Sequence, residues 1–399
     1  MSALRSFKVL GVGLAAALAA AACGGSTENN SGSTAAKADV KVGLIYSKTG
    51  ALAAYGQEYE DGFKIGLDYV TKGTGKVNGH KIVVSYNDDA GDPAKAVSTA
   101  KDLIGQGYNI IGGSTASGVA VQVAPIAAQN KVLFVSGPAA TDAVTAINRY
   151  TFRSGRQSQQ DVLTAKAMLG DVAGKKVLVF AQDSAFGQSN VAAVKSVFTG
   201  ATVTSLLVPP SANDFTTYAK QAKDAKVDMV FVAWAGSTAT AMWTALDQQG
   251  VTTSTTVVTG LAERSTYPTF GAAGSHLSLL SLYFYQAPKN PVNDYLVSAE
   301  KKNGTVPDLF TPDGFVTAEL VAHAVDKADG DNVDKMISAL EGYTFNAPKG
   351  QESVRAADHA MLQPMFVAKL DQQGSSYEPT LLKTLSADQT APPQKPMAS

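Results

Sequence analysis

Short runs of β-branched and aromatic residues alternate with amphipathic helical stretches along almost the whole chain, and no other property narrows the fold as far. Val40 to Tyr46 reads as a strand and Tyr55 to Val70 as a helix; Lys81 to Tyr86 is a strand, and Pro93 to Gly105 a helix opened by an Asp92 cap. Asn109 to Ile111, Val119 to Ala128 and Val132 to Val135 continue the order strand, helix, strand. Such alternation specifies a parallel sheet covered on both faces by helices.

The second half repeats the theme with Lys176 to Ala181, Gly187 to Phe198, Val203 to Val208, Phe215 to Ala225, Val227 to Ala233, Thr238 to Gln249 and Thr255 to Thr259. Val177-Leu178-Val179-Phe180 and Met229-Val230-Phe231-Val232 are unbroken hydrophobic runs, the mark of strands buried on both sides. Roughly 360 residues are too many for one comfortable core, so the expected fold is α/β, with two doubly wound parallel-sheet lobes. The first lobe is expected over 40–152 plus 284–345, the second over 153–283 plus 346–385. Arg149 to Gln160, which carries two further arginines, is the expected first crossing. A strand-like run over Ser278 to Tyr285 precedes helices at Pro291 to Lys302, Pro312 to Lys327 and Val333 to Leu340, which return to the first lobe. The last strand is expected at Pro364 to Leu370, and residues 386–399, with Pro392, Pro393 and Pro396, as a loose tail.

The first 23 residues obey a different rule. Arg5 and Lys8 give a basic start, residues 9 to 22 are apolar and small, and Leu18-Ala19-Ala20-Ala21-Ala22 leads into Cys23, the sole cysteine of the chain. This pattern predicts a lipoprotein signal peptide over 1–23 with lipid attachment at Cys23, hence an extracytoplasmic protein anchored to the cell membrane by its lipid. The apolar stretch falls short of the roughly 20 residues that a spanning helix needs. Ala20 stands where the lipobox more often has leucine. A single thiol also excludes a disulfide framework. Residues 24–39, mostly Gly, Ser, Thr, Asn and Ala, are expected to form a flexible tether.

Ligands of open parallel sheets bind outside the carboxyl ends of the strands. Two loops there are rich in small and hydroxyl residues: Gly112-Gly113-Ser114-Thr115-Ala116-Ser117-Gly118 and Ser136-Gly137-Pro138-Ala139-Ala140-Thr141-Asp142. Their backbone N–H groups, with Ser117 or Thr141, can approach a carboxylate at a helix N-terminus. Each loop alone is better explained by helix capping; two on neighbouring strands shift the balance toward a site. Tyr55 could form a wall over the ligand. From the second lobe, Trp234 and Glu263 follow strand ends and suit an ammonium group through cation–π attraction and charge pairing, although a core anchor and a solvated loop charge are the plainer readings.

With these residues in view, the chain resembles the periplasmic leucine/isoleucine/valine-binding proteins, the type I solute-binding subunits of ABC importers. The resemblance runs from about Val40 to Leu370. It rests on Val42-Gly43-Leu44-Ile45-Tyr46-Ser47-Lys48-Thr49-Gly50, Tyr86-Asn87-Asp88-Asp89-Ala90-Gly91-Asp92-Pro93, the loop before Val119, Ser136 to Thr141, Asp183 to Gly187, and Asp358-His359-Ala360-Met361-Leu362-Gln363-Pro364. It implies two lobes joined by a multi-strand hinge, closing on an amino acid or related small molecule and presenting it to membrane permease subunits. Within it, Tyr55 matches the aromatic wall, Ser117 the hydroxyl of the first loop, and Ala139, Ala140 and Thr141 the second loop. Two positions depart: Ala235 and Gly236 stand beside Trp234 where branched-chain binders carry tyrosines, and Ala262 takes the acidic position, with Glu263 next to it. Both departures touch the ligand's side chain or amine, so amides and aromatic acids remain alternatives to branched-chain amino acids. A sensor of the same fold is the alternative to transport.

Enzymatic templates fail. The chain has no phosphate-binding Gly-rich loop with Gly-Lys-Ser/Thr and no His-Glu-x-x-His. Gly112-Gly113-Ser114-Thr115-Ala116 lacks the final glycine of a nucleophile elbow, and Ser98-Thr99-Ala100-Lys101 lies inside a helical stretch. His80, His276, His323 and His359 are scattered without ligand spacing, and Asp92 of the acidic group Asp88, Asp89 and Asp92 reads as a cap. With 33 basic and 34 acidic residues mixed along the chain, nothing predicts nucleic-acid binding. A binding protein without cofactor or metal is expected.

Overall fold

The computed structural model describes residues 37–274, 277–374 and 376–398. The signal peptide, Cys23, the tether through residue 36 and His276 lie outside the described residues.

The first sheet is built from β1 (Val40–Tyr46), β2 (Lys76–Val77), β3 (His80–Asp88), β4 (Ile110–Gly112), β5 (Leu133–Ser136) and β6 (Thr151–Arg153), in the order β2-β3-β1-β4-β5-β6. From β3 to β6 the pairing is parallel. Three helices connect its strands: α1 (Ala53–Thr71), α2 (Pro93–Gly105) and α3 (Ser117–Gln129). As expected, Asp92 caps α2, its carboxylate accepting from the N–H groups of Ala94 and Lys95. The period-two geometry of a strand sends side chains to two cores. Val42, Leu44 and Tyr46 of β1 enter one, with Phe63 of α1 and the helices Thr311–Ala328 and Val333–Leu340, while Ile45 enters the other, under α2 and α3.

The second sheet contains β7 (Lys176–Gln182), β8 (Thr202–Val208), β9 (Met229–Ala233), β10 (Thr256–Gly260) and β11 (Leu277–Ser281), all parallel. Its hydrophobic runs divide in the same way: Leu178 and Phe180 face one core, Val177, Val179 and Ala181 the other. The second of these cores lies under two more helices, α4 (Ser158–Leu169) and α5 (Ala185–Val197). Doubly wound α/β architecture, with helices on both faces of each sheet, is thus what the alternation specified.

Several segments differ from expectation. The crossing at Arg149 to Gln160 is not simply polar linker: it contains β6 and the start of α4, and Arg153 is fully buried. Residues from 346, expected with the second lobe, first form β12 (Thr344–Ala347), β13 (Gly350–Val354) and β14 (Met361–Leu362), and Ala347, Val354 and Met361 join the first core. Their apolar side chains are spaced singly among polar ones, so no continuous run marks their place. Pro364 to Leu370 is not the last strand. β15 (Met365–Gln373) pairs antiparallel with β11 and with a further strand, β16 (Ser376–Leu385), whose exposed Leu381 and Leu382 disguise it as a surface segment. The tail is not loose: Arg355 Nη1 donates to Pro392 O at 2.8 Å, Lys395 N to Asp358 Oδ2 at 3.0 Å, Lys395 Nζ to Asp142 O at 3.0 Å, and Ala398 N to Ala146 O at 2.8 Å. Proline removes a donor but leaves its carbonyl free to accept.

One helix pair positions an aromatic side chain at the edge of the first sheet. A Cβ on Gly62 of α1 would lie 1.9 Å from the Thr311 carbonyl oxygen, and one on Gly314 would lie 2.0 Å from that of Tyr59. Only glycine allows these backbones to touch. The contact seats the first turn of α1, which carries Tyr55, beside Leu309 and Phe310.

Candidate ligand-binding site

Loops at the carboxyl ends of both sheets line one cavity of about 390 Å³. Ala51, Leu52 and Tyr55 come from the segment after β1, Thr115 to Gly118 follow β4, and Pro138 and Ala140 follow β5. Gln182, Ser184 and Phe186 belong to the β7–α5 connection, Trp234 and Ala235 follow β9, and Leu261 and Ala262 follow β10. Leu282, Leu309 and Phe310 complete a largely apolar wall.

The loop after β1 is fixed by the acidic string. Asp88 accepts from the N–H groups of Lys48 and Thr49 and from the Thr49 hydroxyl, and Asp89 accepts from the Ser47 hydroxyl at 2.8 Å. These carboxylates are scaffolding, and no group of potential metal ligands occurs among the described residues.

Ser117 is buried at the start of α3, and its Oγ accepts the Thr141 N–H at 3.2 Å, so the two hydroxyl-rich loops are joined to each other. The amides of Ser117 and Gly118 open the helix and have no carbonyl a turn back. Neither they nor the Ala140 amide has an acceptor among the described residues. Ala139 and Thr141, by contrast, do not line the cavity. The Ala139 N–H donates to Ser114 O at 3.1 Å, and the carbonyls of Ala139 and Thr141 accept from Arg153 at 2.7 and 3.2 Å. Arg153, with burial pushing its guanidinium down to about 10, is the positioning residue of this loop, a role its place in a polar stretch did not betray.

Tyr55 lines the cavity, with its ring 4.7 Å from that of Phe310. Its hydroxyl donates to Glu263 Oε2 at 3.0 Å and accepts the Gly236 N–H at 3.3 Å. Burial raises this phenol well above its ordinary range, with the Glu263 charge acting the same way. Glu263 is buried, but it is absent from the cavity wall and already serves Tyr55. Gly236 explains its own departure: its φ is +85°, and a Cβ would lie 2.6 Å from Ala51 O, which accepts the Ser237 N–H at 3.0 Å. A tyrosine there would keep the two sides of the cavity apart.

Trp234 lines the cavity too, stacked on Phe180 at 5.7 Å and edge-on to Phe215 at 5.2 Å, with Nε1 donating to Thr238 Oγ1 at 3.0 Å. It is both core anchor and wall. Behind Phe310, Glu58 accepts the Phe310 N–H at 2.9 Å, and Asp308 accepts from the N–H groups of Arg264 and Leu309. Burial pushes Asp308 up to about 6, and burial with the neighbouring Asp308 charge raises Glu58 well above its ordinary range.

The sequence reading missed the charged members of the wall, Arg156 and Asp161. Arg156 Nε donates to Asp161 Oδ1 at 3.3 Å and Nη1 to Pro138 O at 3.2 Å, and the guanidinium lies 5.6 Å from the Phe310 ring centre. The signal available was the third arginine of the crossing, five residues before an aspartate on the first turn of a helix.

With this geometry in place, comparison with known proteins is direct. Residues 39–375 match the periplasmic binding protein family. A Leu/Ile/Val-binding protein of Rhizobium johnstonii is 32% identical over 201 residues, 49% of this chain and 54% of the relative, so that match spans about half the relative's length. The crystal structure of an ABC-type branched-chain amino acid transporter from Rhodopseudomonas palustris is 33% identical, with a TM-score of 0.76, and the match covers 90% of this chain and 100% of the other. A solute-binding protein of an ABC transporter from Rhodopseudomonas palustris BisB5, crystallised with 3,4-dihydroxybenzoic acid, is 26% identical at a TM-score of 0.77, covering 88% of this chain and 98% of the other. The chain belongs to the leucine/isoleucine/valine-binding-protein family of type I periplasmic binding proteins.

Proposed function

We propose that the chain is the extracytoplasmic solute-binding subunit of an ABC importer, and that it holds a small amino-acid-like solute in the cavity between its two sheets. The observation that carries this reading is the pairing, around one cavity, of open amides at Ser117, Gly118 and Ala140 with the aromatic and aliphatic surface of Trp234, Leu261, Leu282 and Phe310. Unpaired amides at a helix start receive a carboxylate. The apolar surface receives a hydrocarbon or aromatic body. The names of the relatives support binding and transport rather than catalysis.

In this reading the bodies built on the two sheets close over the solute, because each contributes contacts that exist only when they meet, and the closed form is what the permease receives. Lipid at Cys23 and the tether after it keep the protein beside that permease. An aromatic acid is the second reading of the ligand, favoured by the aromatic wall and by the benzoate-type ligand of the 26% identical relative.

A thermal-shift screen of the mature protein over amino acids, their amides and hydroxybenzoates tests the proposal, since a ligand of the folded state raises the melting temperature with its concentration. Both tryptophans of the chain, Trp234 and Trp243, line the cavity, so the same solute should change intrinsic fluorescence. A melting temperature unmoved by every compound at millimolar concentration would overturn solute binding of this class.

A further inference from the structure

Arg156 and Asp161 are the only charged side chains among the described residues lining the cavity. Both are more than nine-tenths buried, and each spends part of its capacity on the other. Arg156 gives a second donor to Pro138 O and lays its guanidinium near the Phe310 ring. That leaves Arg156 Nη2 and Asp161 Oδ2 without a protein partner among the described residues, one donor and one acceptor on the wall of an otherwise uncharged chamber.

We propose that Asp161 is a specificity-determining residue that restricts the cavity to solutes of zero net charge, a zwitterion in preference to the corresponding monoanion. The inference rests on the solute-binding reading and refines its ligand class.

The selection is electrostatic. A lone buried arginine would attract any carboxylate, and an aromatic or aliphatic monoacid would satisfy it. Here the cation is already neutralised by Asp161, so the wall carries no net charge. A monoanion entering beside Oδ2 brings a second negative charge into a water-poor space with one cation to share, and like charges at close range repel most strongly where the dielectric is low. A zwitterion carries its own compensating charge: its ammonium supplies the donor that Oδ2 lacks while its carboxylate takes the open amides or Arg156 Nη2. Burial pushes the Asp161 carboxyl up from its ordinary range while Arg156 opposes the shift. Glu263 cannot supply this selection in its place, because Tyr55 holds it outside the cavity wall.

The test uses matched pairs that differ only in the amino group, L-leucine against 4-methylpentanoate and L-phenylalanine against 3-phenylpropanoate, titrated calorimetrically into the full mature chain. The wild-type protein should bind the amino acid of a pair at least about tenfold more tightly than its deaminated partner, the scale of one hydrogen bond to a charged group. Asp161→Asn should bring that ratio to near one or invert it, and Asp161→Glu should keep it above one. A wild-type preference for the monoanion, or equal losses for both members of a pair in Asp161→Asn, would overturn the role given to Asp161. Circular dichroism and unliganded melting identify a variant that has not folded; a wild-type ratio near one overturns the proposal even then, and Asp161→Glu, which keeps the charge, tests the residue if Asp161→Asn does not fold. If neither member of any pair binds and the wider screen is also silent, it is the solute-binding reading that fails, and the selectivity falls with it.

Discussion

The Tyr55 hydroxyl donates a 3.0 Å hydrogen bond to the Glu263 carboxylate, joining residues 208 positions apart in sequence. Tyr55 lies in the first turn of α1, and Glu263 follows β10 of the second sheet. The same oxygen accepts the Gly236 N–H, so one phenol fastens two loops of the second sheet to the segment that follows β1.

Replacing Tyr55 with Phe keeps the ring against Phe310 and removes only this fastening. Ligand affinity should fall by about 1.5–3 kcal/mol, the worth of a hydrogen bond to a charged group, and the unliganded protein should become more extended. Calorimetry gives the first quantity and small-angle X-ray scattering the second; unchanged affinity and unchanged radius of gyration would show that the bond contributes nothing to closure.

Ser117 and Thr141, equivalent as hydroxyl residues in the sequence, should separate by mutation. Ser117 lines the cavity, and Ser117→Ala takes the acceptor from the buried Thr141 N–H behind it; binding should weaken by about 1–3 kcal/mol. Thr141 Oγ1 accepts only a 3.3 Å contact from the Ala143 N–H and does not line the cavity, so Thr141→Ala should leave affinity within about twofold. Equal losses would place Thr141 in direct contact with the ligand.

Glu352 makes stability depend on pH. It is 1% exposed, neither carboxylate oxygen has a hydrogen-bond partner in the described structure, and burial pushes its carboxyl up to about 8. Between the ordinary carboxyl range and 8 the folded chain holds a proton that the unfolded chain has released, so stability falls as pH rises through that window. Glu352→Met should therefore stabilise the protein at pH 7.5, on the order of 2–3 kcal/mol, and the gain should shrink toward pH 4.5. Melting curves of both proteins across this range provide the measurement; a gain that is constant with pH would mean that Glu352 titrates normally.

Deleting residues 392–399 removes the carbonyl held by Arg355 and the two bonds made by Lys395. Stability should drop by about 1–3 kcal/mol while ligand affinity stays unchanged, because the tail contributes nothing to the cavity wall. Urea unfolding and calorimetry on the shortened chain separate the two effects.

The elements were legible where the signal is local. Asp92-Pro93 states a helix start in two residues, and Val177 to Phe180 states a buried strand in four. The loops that hold Ser117 and Ala140 were marked by their composition at strand ends, because a parallel sheet puts all such loops on one edge, while Ala140 itself was named only by the family resemblance. β16 escaped because a half-exposed edge strand lacks the hydrophobic run. Arg156 and Asp161 escaped because an arginine in a polar stretch looks the same whether it meets water or a cavity.

By itself, then, the sequence determined the parallel, doubly wound sheets and the edge on which the cavity lies, since periodicity and turn chemistry act within a few residues. Tertiary structure alone decided which polar groups remain open there. Arg153 consumed the carbonyls of Ala139 and Thr141, Tyr55 occupied Glu263, and Arg156 met Asp161 at a wall otherwise free of charge among the described residues. Spacing along the chain cannot reveal these pairings, because a hydrogen bond depends on distance and angle in space, and donors and acceptors far apart in sequence compete for the same atoms.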